Sequence, residues 1–292
     1  MGHMYADDTQ SYLHFDPNEA DMAVANIQAC FSELQIWMSN NKLVLNASKT
    51  EIILFGSQHQ LNNFSITSVT LGDVQVLIAD NVRNLGVTFD SQLSFEQHSR
   101  LLSSSCFFQI RQLWSIRHCL SDTATEILVY AFVSSRLDYC NSLFLSCTAS
   151  VLDRLQKVQN AAARLVLRTK RYDSATPMLQ QLHWLKVPQR IAFKSCLTTF
   201  KCLNNLAPSY LADFCVPLSS TSLRKDLRSV ESRKLTVPRS RTVYYGDKSF
   251  PVAGPKLWND LPVSLRVHSH STDSFKKNLK THLFQQSFPG LS

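Results

Sequence analysis

Near Ser94 the apolar residues of this 292-residue chain change their period, and that change limits the folds open to it. Before it, short runs alternate or read as strands: Gln10 to Phe15, Lys42 to Leu45, Glu51 to Phe55, Ile66 to Leu71 and Val74 to Ile78. Gly72-Asp73, between the last two, is a favoured hairpin pair. One helical stripe interrupts them. Asp16 as N-cap and Pro17 at the first helical position precede Ala20, Val24, Ile27, Phe31, Leu34 and Met38, which follow 4-3-4-3-4 spacing. From Ser94 to about Ser146 the spacing is helical, with Leu101, Phe108, Ile110, Leu113 and Trp114 on one segment. Ala124, Leu128, Ala131 and Phe132 form the next, started by Ser121 as N-cap. The aromatics Phe108 and Trp114 are expected in the core. The pattern predicts an α+β chain: a small antiparallel sheet with a packed helix, then a mostly helical remainder.

A hydrophobic content of 44% with 18% charged residues is globular rather than disordered. No apolar run is long enough to span a bilayer, Ile127 to Val133 being the longest candidate. The first residues lack a basic and then apolar leader, so a non-secreted protein, nuclear or cytoplasmic and without a membrane partner, is expected. The eight cysteines form no C-x₂-C or C-x₄-C pair, which favours reduced thiols over zinc ligands or disulfides.

Charge is distributed unevenly. Residues 1–150 hold 7 Lys and Arg against 14 Asp and Glu (net −7), whereas residues 151–292 hold 23 against 8 (net +15). Such asymmetry suggests a polyanion-binding segment joined to a separate module. Within the basic half, Val151 to Arg171 reads as a helix with Val151, Leu155, Val158, Ala162, Leu165 and Val166 on one side. Arg154, Lys157, Arg164, Arg168 and Arg171 fall within about 100° of arc on another. Asp153 is the one acid among these residues. A solvated helix face usually mixes signs, so this one is expected to contact phosphates. Thr221 to Arg241, rich in Arg, Lys and Ser, reads as an extended basic arm, and a helix with Phe275, Leu279 and Leu283 inward is expected from about Asp273.

At the front stands a pair of adjacent carboxylates, Asp7 and Asp8, in the apolar and aromatic context Met4-Tyr5-Ala6. Adjacent carboxylates repel, and a divalent cation relieves that repulsion. Hard oxygen donors suit Mg²⁺, which binds through one or two carboxylates and completes its shell with water and substrate phosphates. This is the chemistry of two-metal phosphoryl or nucleotidyl transfer.

Five blocks stand in one order: Tyr5-Ala6-Asp7-Asp8; Lys42 to Gly56 with Asn46 and Lys49-Thr50; Val82 to Asp90; Leu182 to Ile191; and Ser249 to Leu265, which contains Gly254 to Pro262. In that order the chain resembles the back half of a reverse transcriptase from a non-LTR (LINE-type, jockey-like) retrotransposon, an RNA-directed DNA polymerase. The resemblance implies a palm remnant over residues 1–92, with the YADD hairpin and a primer-grip-like block. A helical thumb-like region over 93–148 and a basic, helical C-terminal region over 149–292 complete it. It further implies that Asp7 and Asp8 are two of three catalytic, metal-binding aspartates, served by Mg²⁺ or Mn²⁺. Lys49 takes the place of the lysine that protonates the pyrophosphate leaving group, a task suited to a cation near developing charge. Tyr5, Leu85 and Gly86 correspond to residues at the substrate or primer, and the partners are an RNA template and a DNA primer. The third aspartate of the family lies on an earlier palm strand, so the expectation is a polymerase fragment that binds its metal weakly or not at all and is inactive alone. The alternative is a non-enzymatic nucleic-acid-binding module of the same descent.

Overall fold

The alternating runs become three small sheets rather than one. The structure, a computed structural model, describes residues 2–145, 147–221, 233–240, 245–267 and 271–290, so most of the basic stretch from Thr221 to Arg241 lies outside the described residues. The chain divides into two units, Met1–Ser94 and Phe95–Ser292.

In the first unit, strands β1 (Gly2–Tyr5) and β2 (Asp8–Ser11) pair antiparallel with Tyr5 opposite Asp8. Helix α1 (Ala20–Asn40) follows a single turn, Pro17–Glu19, started by Asp16, whose Oδ1 accepts from the Asn18 amide at 3.1 Å. Strand β3 (Ile52–Ile53) leads to the short helix α2 (Gln58–Asn62), opened by a capping box in which Ser57 and Gln60 each bind the other's backbone amide. Strands β4 (Ser68–Leu71) and β5 (Val74–Ala79) are antiparallel and turn at Gly72-Asp73, as the sequence predicts. Strand β3 adds to β5 in parallel, giving the order β3-β5-β4. Strands β6 (Asn81–Asn84) and β7 (Val87–Asp90) form a last hairpin. Val24, Ile27 and Phe31 of α1 cover Val69, Leu71 and Val76, so the sheet and its helix share one small core.

Lys42 to Leu45, expected as a strand, is irregular, and Val44 is 93% exposed. An extended segment becomes a strand only when a neighbour accepts its hydrogen-bond ladder, and β3 offers only two residues of pairing, all of them to β5.

The second unit is helical. Helices α3 (Glu96–Ile116) and α4 (Asp122–Val129) come first, and a π-helical turn (Tyr130–Ser134) then runs into α5 (Ser135–Asp138). Next are α6 (Ala149–Leu167), α7 (Ala175–Gln181) and α8 (Val187–Leu203), followed by the short α9 (Ser209–Ala212) and α10 (Leu218–Thr221). Helices α11 (Phe250–Asp260), α12 (Val263–Val267) and α13 (Thr272–Ser287) close it. Helix α6 is the axis: Val151, Leu155, Val158, Ala162, Leu165 and Val166 are all buried, as their spacing predicts. It packs along α3, across the 148/149 position that the sequence suggests as a boundary.

Helix α3 corrects an expectation. Its buried face is Ser99, Ser103, Cys106, Ile110 and Leu113, whereas Phe108 is 50% and Trp114 42% exposed. Both faces repeat every three or four residues. The one with small side chains lets α3 lie close against α6, and that proximity turns the large residues outward.

The block Gly254 to Pro262 is structural. Gly254 lies beneath Phe250, whose Cε2 would stand 2.9 Å from an added Cβ. Trp258 Nε1 donates to the Arg233 carbonyl at 2.8 Å. The Asn259 amide binds both the amide and the carbonyl of Leu235, each at 2.8 Å. Phe200 and Phe275 stack at 4.3 Å in the core shared by α8, α11 and α13. Leu182 to Ile191 is held from α6: Gln159 Nε2 donates to the Leu185 carbonyl and Gln156 Oε1 accepts from the Val187 amide, both at 2.8 Å. His183 takes a left-handed φ of +53° with its ring beside Phe284, a packing role.

Arg117 is a buried cation of this unit, 3% exposed. Its Nε donates to the Leu165 carbonyl and its Nη2 to the Val166 carbonyl, both at 2.8 Å. Its Nη1 donates to the Leu120 carbonyl at 2.8 Å, and its Nη2 reaches Asp122 Oδ1 at 2.5 Å. The side chain thus caps the C-terminus of α6 and ties it to the start of α4. Arg117→Ala leaves buried carbonyls without donors and should lower the unfolding free energy by about 3 kcal/mol; urea denaturation followed by circular dichroism measures it.

Candidate nucleic-acid interface

The five cations assigned to one helix face do not act alike. Helix α6 ends at Leu167 because Arg168 adopts a left-handed φ of +53° and the Thr169 amide turns back to the Arg164 carbonyl at 3.2 Å. Arg171 therefore sits beyond the helix, and the common-arc expectation holds only as far as Arg164. Arg154 Nη1 binds Glu96 Oε2 at 3.0 Å and also reaches Ser99 Oγ, which joins α6 to the start of α3. Arg168 donates from Nη2 to the Leu120 carbonyl at 2.9 Å and lies 3.6 Å from Asp122. These two cations are occupied by the fold.

The other three, Lys157, Arg164 and Arg171, line one cavity of about 630 Å³ with Phe107, Trp114, Asn160, Ala161 and Thr169. Among the described residues no carboxylate belongs to that lining. Arg164 Nη2 donates to the Asp173 carbonyl at 2.9 Å, which anchors the guanidinium at one end. Its Nε is buried and has no hydrogen-bond partner among the described residues. Lys157 and Arg171 are exposed. Thr169 Oγ1 donates to Met178 Sδ, so the loop after α6 is fastened to α7. The cavity presents fixed positive charge beside aromatic surface, which suits a ligand carrying both phosphate and an apolar ring.

In the first unit, Tyr5, Asp7 and Asp8 stand on the exposed β1-β2 hairpin, where the two-residue turn Ala6-Asp7 carries a φ of +54° at Ala6. Leu85 and Gly86 are the two turn residues of β6-β7, with φ of +45° and +82°. Positive φ at both central residues is the geometry that matches the twist of a hairpin, and it accounts for a glycine at 86. Gln10 Nε2 donates to Asn84 Oδ1 at 2.9 Å, so these two hairpins are neighbours. Lys49 ends a 3₁₀ turn (Ala47–Lys49) organised by Asn46, whose Oδ1 accepts from the Ser48 amide at 3.1 Å. Lys49 is exposed, and no described hydrogen bond or ion pair joins it to the aspartates.

Asp7 and Asp8 offer hard oxygen donors of the kind that the Mg²⁺ or Mn²⁺ implied by the resemblance would take. Among the described residues no group of three or more His, Cys, Asp or Glu converges. Two carboxylates on an exposed two-stranded hairpin do not fix a pair of ions in the geometry that metal-assisted transfer needs, so no step of nucleotidyl transfer is assigned to them. The buried thiols are equally unsuited to reaction: burial pushes Cys106 up to about 11 and Cys196 and Cys215 up to about 12.

No family model, curated protein or solved structure matches the chain. No helix, among the described residues, is long and apolar enough to cross a membrane. Phe107, Trp114, Asn160 and Thr169 are cavity residues that the sequence does not single out for binding. The legible signal was the small-residue stripe Ser99, Ser103, Cys106, which competes with Leu101 and Phe108 for the inner face of α3.

Two ion pairs of the second unit make a pH prediction. The Ser150 hydroxyl, at 3.0 Å from Glu96 Oε1, and the Arg154 guanidinium hold Glu96 below the usual carboxylate range, against a partial burial that acts the other way. The Arg117 guanidinium does the same for Asp122. A carboxyl depressed in the folded state has its full stabilising effect above its unfolded pKa of about 4 and loses it as pH falls through the folded value. Thermal unfolding of the chain should therefore shift downward on acidification below about pH 4, and the Glu96→Gln, Asp122→Asn double variant should flatten that dependence.

Proposed function

We propose that this chain is a nucleic-acid-binding module of reverse-transcriptase descent, derived from a non-LTR retrotransposon polymerase, and that its second unit binds nucleic acid without the chain itself performing nucleotidyl transfer. The observation that carries the reading is the cavity in which Lys157, Arg164 and Arg171 converge beside Trp114 and Phe107 with no acid in the lining. Phosphate neutralisation by such cations releases counterions and gives salt-dependent affinity. The net charge of +15 over residues 151–292 supplies the long-range attraction. The family blocks and the two aspartates at a hairpin turn support the descent.

Affinity for labelled RNA or DNA should fall steeply between about 50 and 200 mM salt, measured by fluorescence anisotropy. Lys157→Glu with Arg171→Glu should weaken binding at least about tenfold and reduce the salt slope. Asp7→Asn should leave it unchanged. Salt-independent binding, or none, would remove the reading.

For the catalytic side, primer extension on an RNA template with Mg²⁺ or Mn²⁺ should yield no product from this chain alone. Extension that disappears in the Asp7→Asn, Asp8→Asn variant would instead establish a working polymerase site.

A further inference from the structure

We infer that the cavity between α3 and the C-terminal half of α6 seats unpaired nucleotides of a single strand, with the Trp114 indole as the surface on which a base stacks. This narrows the nucleic-acid reading above and rests on it.

Charge alone would suit any polyanion, so the aromatic wall decides the class. Trp114 is 42% exposed and shares the cavity with Phe107, while the cations stand on α6 and just past its end. Within a duplex both faces of a base are covered by its neighbours, and only edges and backbone are presented. A ring at the wall of a groove therefore gains stacking only from a base that has left the helix or never entered one. An acidic peptide would satisfy the cations but leave the indole face unused.

The volume agrees. About 630 Å³ lies within the range of small-ligand sites, enough for a nucleotide and too little for the body of a duplex. The site is also partly preorganised. Arg164, in the cavity lining, is anchored through Nη2 to the Asp173 carbonyl at 2.9 Å, which limits the positions its guanidinium can take. Asn160 Oδ1 accepts from Gln156 Nε2 at 2.8 Å, which fixes the amide and leaves Nδ2 as the donor it can offer.

The test uses the full chain and four labelled or competing probes at one salt concentration: a single-stranded 12-mer, an abasic strand of the same length, a 12-base-pair duplex and polyglutamate. The base-bearing strand should bind about tenfold tighter than the abasic one. Trp114→Leu, which keeps an apolar side chain at an exposed position, should lower affinity for the base-bearing strand to the abasic level and leave the abasic affinity unchanged. Trp114→Tyr should restore most of the difference. If Trp114→Leu affects both strands equally or neither, or if the duplex binds best, the stacking assignment is wrong and nucleic-acid binding itself stands. Absence of binding to every nucleic acid, or preference for polyglutamate, overturns both.

Discussion

The second unit depends on one buried guanidinium. Arg117 lies where α3 ends, α4 begins and α6 stops, and it supplies donors to carbonyls from two of those places at once. A helix C-terminus leaves carbonyls without partners, and burying them uncompensated is costly. A single side chain with its donors arranged as a fork resolves this for Leu165 and Val166. It also fixes the direction in which the chain leaves α6, toward Arg168, Thr169 and Arg171.

The same economy explains why the cations of α6 divide into two groups. Arg154 and Arg168 have acids within reach, Glu96 on α3 and Asp122 on α4, and they serve to hold three helices together. Lys157, Arg164 and Arg171 share a cavity with Phe107 and Trp114 of α3, and no Asp or Glu is among its described lining residues. In the first unit the arrangement differs: a small core under α1 supports β3-β5-β4, while the two hairpins that carry Asp7-Asp8 and Leu85-Gly86 are linked by the Gln10–Asn84 side-chain bond.

Sequence and structure agree most closely where neighbouring residues suffice to decide the outcome. The Gly72-Asp73 hairpin, the Asp16 and Ser121 caps, the apolar side of α6 and the Phe275, Leu279, Leu283 face of α13 all follow from local turn chemistry or a single helical period. Lys42 to Leu45 has the composition of a strand and no neighbour to pair with, so its propensity is not expressed. Size and hydrophobicity favour burial of Trp114 and Phe108. That rule does not say which of two equally periodic faces a helix will turn inward.

By itself, then, the sequence determined the α+β class, most of the helices, the concentration of positive charge in the second half and the position of the paired aspartates. Each of these depends on identity and spacing along the chain. Only the tertiary structure decided which arginines are neutralised, which aromatic residues meet solvent and where a cavity opens. Those outcomes depend on distances between elements: Arg117 meets the end of α6 across sequence separations of 48 and 49.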